Sequence, residues 1–175
     1  MDDTLQLINQ LIAEHKKISR RTESIEKAAN DTSLMSDLKA AGDTAASGVS
    51  SGNLPELRKM LEVIDAWLEK HFKREETILL PAVEKQGNEK LVTALNSILF
   101  EHSELRDRMS RSRRRIAELL IGGIDPELWN AGVRDMQLQI NHSYKLLRTH
   151  AEKENHFLTE LRRHLRKAAN RKEKK

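Results

Sequence analysis

Four stretches of the chain repeat apolar residues at the i, i+3, i+4, i+7 spacing that puts one stripe on an α-helix. The first, about residues 4–29, carries Leu5, Ile8, Ile12, Ile18 and Ile25, with His15 in phase. The second opens at Asn53-Leu54-Pro55, where Asn53 suits an N-cap and Pro55 the first turn. Its stripe runs Leu57, Leu61, Ile64, Leu68, His71, Glu75, Ile78 and Ala82, with Pro81 expected to kink or tighten the last turn. The third follows Gly87-Asn88 through Leu91, Leu95, Ile98, His102, Leu105, Met109 and Ile116, and Gly122-Gly123 stops it. Asp125-Pro126 caps the fourth, whose stripe reads Trp129, Val133, Met136, Ile140, Leu147, His150, Glu154, Phe157, Leu161 and Leu165.

Between the first two stretches, residues 30–53 are rich in Ser, Gly, Asn and Asp. They read as a long connection with a short helix around Leu34–Ala41. Four amphipathic helices and no alternating strand pattern predict an all-α protein, most simply an up-down-up-down four-helix bundle. We assign residues 1–167 to the bundle and 168–175 to a basic C-terminal tail.

Short connections make the second, third and fourth helices antiparallel neighbours, so their ends can be aligned. Measured from one end at ~1.5 Å per residue, His15 lies roughly 18 Å in, His71 roughly 21 Å, His102 roughly 20 Å and His150 roughly 25 Å. Four histidines on four helices thus fall in nearly one layer.

Composition changes this picture in two ways. The chain has 175 residues with no cysteine, which excludes disulfides, thiolate metal ligands and a cysteine nucleophile. Its net charge of +4 is unevenly placed: residues 162–175 hold eight Lys/Arg and one Glu, so the remainder is slightly acidic. A basic terminus of this kind most simply complements a helix macrodipole, and nucleic acid is not expected as a partner. The acidic start, Met-Asp-Asp-Thr, does not resemble a secretory signal, and no apolar run reaches the roughly 20 residues needed to span a bilayer. A cytoplasmic protein without membrane association is the expectation.

The chemistry lies in the stripes. His71 with Glu75, and His150 with Glu154, are four apart and share a helix face. Imidazole with carboxylate suits iron, zinc or manganese. A carboxylate on a core stripe costs several kcal/mol unless something cationic meets it. Four imidazoles and two carboxylates exceed the four ligands of a structural zinc site. If both carboxylates bridge, two metals each gain two nitrogens and two oxygens, and an oxo, hydroxo or water bridge would leave one position open on each. The ferritin-like di-iron signature, Glu-x-x-His on two helices, differs in order and spacing.

With His15, His71-Phe-Lys-Arg-Glu75-Glu76 followed by Leu79-Leu80-Pro81, Glu101-His102, and His150-Ala-Glu-Lys-Glu154, the sequence resembles hemerythrin and its bacterial relatives, the HHE cation-binding domains. The resemblance spans His15 to about His164. It implies a four-helix bundle around two non-haem Fe ions, bridged by Glu75 and Glu154 together with an oxo or hydroxo group. His15, His71, His102 and His150 are then the terminal ligands. One position departs from the oxygen-carrying hemerythrins, which have a histidine four residues after the one matched by His102; here it is Arg106. His142 lies about 12 Å along the fourth helix from His150, too far to replace it. His156 and His164 read as surface residues, and Glu76 and Glu101 as neighbours that support the ligands.

The missing histidine weighs against reversible oxygen carriage and leaves the second iron more open. The function implied is binding of a small diatomic or peroxide ligand (O2, peroxide or NO) for sensing or for protection against oxidative or nitrosative stress. Iron–sulfur repair ranks lower, because that branch carries a cysteine-containing N-terminal segment. The alternative is an iron- or redox-responsive regulatory module whose basic tail contacts a partner. Enzymatic turnover and oligomeric state are left open by the residues.

Overall fold

A computed structural model describes residues 2–43, 54–121 and 124–173. The chain forms α1 (Asp2–Ala29), α2 (Thr32–Asp43), α3 (Leu54–Arg74), a π-helical segment (Glu75–Leu79), α4 (Leu80–Glu84), α5 (Glu89–Leu99), α6 (Glu101–Ile121) and α7 (Pro126–Glu173). These stack into four pillars: α1, α3 continued through the π segment into α4, α5 continued into α6, and α7. α1 packs on α3 and α7, and α6 packs on the same two helices, which closes a four-cornered all-α bundle. Among the described residues, no helix is long and apolar enough to cross a membrane.

Local signals place most of the ends. The Asp125 carboxylate accepts the Glu127 N–H at 2.9 Å and caps α7 ahead of Pro126. Asn88 caps α5 by accepting from the Leu91 N–H. Gly87 just before it has φ +67°, the left-handed conformation that closes the turn after α4. Asn53 and Gly122-Gly123, expected as a cap and a stop, lie outside the described residues. The helix expected around Leu34–Ala41 runs from Thr32 to Asp43, with Asp31 capping it through Ser33 and Leu34. α2 lies against α7, where the buried Trp129 indole N–H donates to the Leu38 carbonyl at 2.7 Å.

Two expectations are corrected. The third stretch is not one unbroken helix: α5 and α6 meet at Phe100, which keeps right-handed helical dihedrals and points to solvent. Its stripe survives the break, since Leu95, Ile98, His102, Leu105 and Met109 are all buried. The second stretch loses its phase. Ile78, expected on the stripe, is 52% exposed, while Leu79 and Val83 are fully buried. The π segment inserts one extra residue per turn after Glu75 and rotates the apolar face forward by one position. Pro81 gives the cause, because it cannot donate a backbone bond and its ring would crowd the carbonyl four residues back. The wider turn relieves both, and the Leu80 N–H bonds to the Glu75 carbonyl instead.

The core consists of two apolar blocks. One holds Ile18, Ile25, Leu57 to Leu68, Leu105 to Leu119 and Trp129 to Leu147; the other holds Ile8, Leu11, Leu79, Val83, Leu95, Ile98 and Phe157 to Leu165. On every pillar the predicted ligands fall between the two. Water is therefore excluded from both ends of the layer they form.

Candidate metal centre

His15, His71, Glu75, His102, His150 and Glu154 converge from all four pillars, each at most 4% exposed. Their ligand atoms fall into two groups, His15, His71, Glu75 and Glu154 in one, and Glu75, His102 and His150 in the other, with donor atoms within 4.8 Å of one another in each. Glu75 belongs to both. One of its oxygens lies 3.2 Å from His71 Nε2 and the other 3.3 Å from His102 Nε2. Glu154 Oε2 lies 2.9 Å from His15 Nε2, 3.7 Å from His71 Nε2 and 3.5 Å from His150 Nε2. The carboxylates thus sit between the groups, where a shared ligand would be.

Those spacings can be tested against coordination geometry. Bonds of about 2.1 Å from a metal to nitrogen or oxygen place neighbouring ligand atoms roughly 3.0 Å apart at right angles and roughly 3.4 Å apart at a tetrahedral angle. The observed contacts run from 2.8 Å (His15 Nε2 to His71 Nε2) to 3.7 Å. Five buried atoms, both Glu75 oxygens, Glu154 Oε1, His102 Nε2 and His150 Nε2, have no hydrogen-bond partner. Native interiors leave only a few such atoms unsatisfied and scatter them, and five gathered at these two donor groups call for a common partner. The donor set fits a cation-binding centre.

A second ring of acceptors fixes the imidazoles from outside. His71 Nδ1 donates to Glu14 at 3.0 Å, His102 Nδ1 to Glu76 at 2.8 Å, His150 Nδ1 to Glu101 at 3.1 Å and His15 Nδ1 to Asn155 at 2.9 Å. A carboxylate or an amide oxygen can only accept, so each Nδ1 carries a hydrogen, and a ring that is neutral turns an Nε2 lone pair inward. Every acceptor is the sequence neighbour of a ligand or ligand pair on its own pillar, and serves the histidine of the next pillar round. The three carboxylates are held in turn by Arg74 on Glu14, Arg106 on Glu76 and Lys153 on Glu101. Sequence reasoning found Glu76 and Glu101 and missed Glu14 and Asn155, although all four stand beside a predicted ligand.

The electrostatics agree with a site built for positive charge. Burial pushes the His102 imidazole down, and burial pushes His150 down to about 4, so both stay neutral. Burial also opposes charge on His71, but its contacts with Glu154 and Glu14 outweigh that and raise it. Burial works against ionised Glu154 as well, and the His15 imidazole at 2.9 Å with the His71 imidazole at 3.7 Å overcomes it to hold the carboxyl low. A proton on His71 beside ionised Glu154 is the smallest cation the first group can hold.

Arg106 does not enter the centre. Its guanidinium turns outward to Glu76 at 2.9 Å and Glu69 at 2.8 Å and lies 5.2 Å from the Phe72 ring centre. Phe72, buried and unforeseen from sequence, stacks on His102 at 3.9 Å and meets His150 edge-on. The second group therefore has no further imidazole, and its rings are backed by a phenyl. His156 and His164 are exposed, as expected, and His142 is exposed and outside both donor groups.

A bundle of four helical pillars around two buried, carboxylate-linked histidine groups defines a metal-binding helical domain. The family profile of the hemerythrin HHE cation binding domain matches residues 6–161, and the chain belongs to that family. No curated protein and no solved structure matches the chain.

Proposed function

We propose that the chain holds two iron ions at this centre and uses them to engage a small oxidant, O2, peroxide or nitric oxide, in sensing or in protection against oxidative and nitrosative stress. The observation that carries the reading is the pair of donor groups sharing Glu75, with five buried atoms unsatisfied by protein. His15 and His71 would hold one ion, His102 and His150 the other, and Glu75 and Glu154 both. Iron supplies redox-active, Lewis-acidic positions there.

The chain's own residues do the rest. Glu14, Glu76, Glu101 and Asn155 hold the rings in one tautomer and raise their basicity. The two apolar blocks keep water from the layer. With Arg106 turned out to Glu76, the position four residues after His102 supplies no donor to the second group. The small ligand is therefore assigned to the His102–His150 side.

Rapid mixing of the reduced, iron-loaded protein with O2, hydrogen peroxide or nitric oxide tests this. At least one should change the visible spectrum with a rate proportional to its concentration, and Arg106→His should slow that reaction by filling the open side. If none of the three alters the spectrum of fully iron-loaded protein, the reading is wrong.

A further inference from the structure

Across α3 from the Arg106 cluster, α1 and α3 leave a groove formed by two adjoining hollows of about 210 Å³ and about 460 Å³. Trp67 and Lys17 line both, so the hollows are continuous along the helix pair. Trp67 is 36% exposed, and the Arg21 guanidinium lies 5.3 Å from its ring centre. Arg20 lines one hollow, Lys70 and Arg74 the other. The single acid on the walls, Glu14, is already engaged by Arg74 and His71.

The groove's cations contrast with most of those on α6. Five of the six arginines on α6, Arg106, Arg108, Arg111, Arg113 and Arg115, each meet an Asp or Glu. In the groove, Lys17, Arg20, Arg21 and Lys70 meet none among the described residues. Unpaired cations recognise phosphate, and an exposed indole recognises a flat ring through stacking. Both stand within one concavity of a size that suits a small molecule. We propose that the α1–α3 groove binds a phosphorylated planar aromatic, a nucleotide-class ligand, with its ring on Trp67 and its phosphate on Lys17 and Lys70.

The groove touches the centre through Arg74, which lines it and also clamps the Glu14 carboxylate that orients His71. Its occupant would therefore sit one hydrogen-bonded pair away from the first donor group.

Calorimetric titration of the full-length protein at about 0.1 M salt, where long-range surface attraction is screened, tests this with flavin mononucleotide, ADP, pyrophosphate and a short single-stranded oligonucleotide. Flavin mononucleotide or ADP should bind in the micromolar range, and which is tighter identifies the ring. Pyrophosphate should bind at least tenfold more weakly. Trp67→Ala should weaken the mononucleotide roughly tenfold or more. Trp67→Phe, which keeps a ring to stack on, should restore most of the loss, and Lys17→Ala with Lys70→Ala should weaken mononucleotide and pyrophosphate alike. Equal affinity for pyrophosphate and mononucleotide, or no effect of Trp67→Ala in a protein of unchanged helicity, would reduce the groove to a charged surface and overturn the proposal. An oligonucleotide that binds far more tightly than either mononucleotide would overturn it in favour of nucleic acid.

Discussion

In the proposed two-iron centre, replacing Glu75 by Gln isolates the charge that would let two cations share one buried layer. Two divalent ions about 3.5 Å apart repel by about 19 kcal/mol at an effective dielectric constant of about 20. One carboxylate about 3 Å from each attracts each by about 11 kcal/mol on the same scale, so it offsets the whole repulsion alone. Glu75 is placed for this role, with its two oxygens 3.2 Å from His71 and 3.3 Å from His102. Gln keeps the shape and one oxygen but not the charge. If solvation and relaxation cancel four-fifths of the lost attraction, the remaining roughly 2 kcal/mol still weakens the second ion about thirtyfold. Metal analysis and native mass spectrometry of Glu75→Gln should find about one ion per chain or less, with helicity retained. Two ions per chain with an unchanged spectrum would refute the bridging assignment.

Three other perturbations probe the fold and the outer ring. Leu79→Ala should cost about 2–4 kcal/mol by urea denaturation and Ile78→Ala less than about 0.5 kcal/mol, because the π segment puts Leu79 inside and Ile78 out; the reverse order would return the helix to an unshifted stripe. Glu101→Ala removes the acceptor of the His150 N–H and should weaken metal binding roughly 10–100-fold in a chelator competition, and an unchanged affinity would deny the outer ring a role. Acidification should destabilise the metal-free protein. His102 and His150 titrate lower folded than unfolded, so their contribution is complete above about 6.5 and is lost as pH falls toward about 4, the value for His150. Raised His71 acts oppositely, stabilising below about 6.5, but lowered Glu14, Glu76, Glu101 and Glu154 add to the acid loss. A higher urea midpoint at pH 4.5 than at pH 7.5 would contradict the balance.

Much of this centre was legible in the sequence because helical periodicity carries a phase. The fourth stripe is reproduced residue by residue, from Trp129 to Leu165, since nothing interrupts α7. The second stripe reads correctly to Glu75 and then slips. Counting at 3.6 residues per turn cannot see an inserted residue, and Ile78 with Ala82 looks as apolar as Leu79 with Val83. Pro81 carried a hint, read as a kink rather than as a widened turn upstream. Glu14 and Asn155 escaped for another reason: they point away from their own stripe, and their use depends on which helix stands alongside. Phe72 likewise acquires its role only when α6 brings His102 beneath its ring.

The central claim is most directly tested by the metal content and visible spectrum of the protein purified in air after expression with iron. The account predicts close to two irons per chain, charge-transfer absorption that Glu154→Gln abolishes, and a melting temperature that falls when the iron is chelated. One zinc per chain, or an iron-free protein that melts at the same temperature as the iron-loaded one, would contradict it.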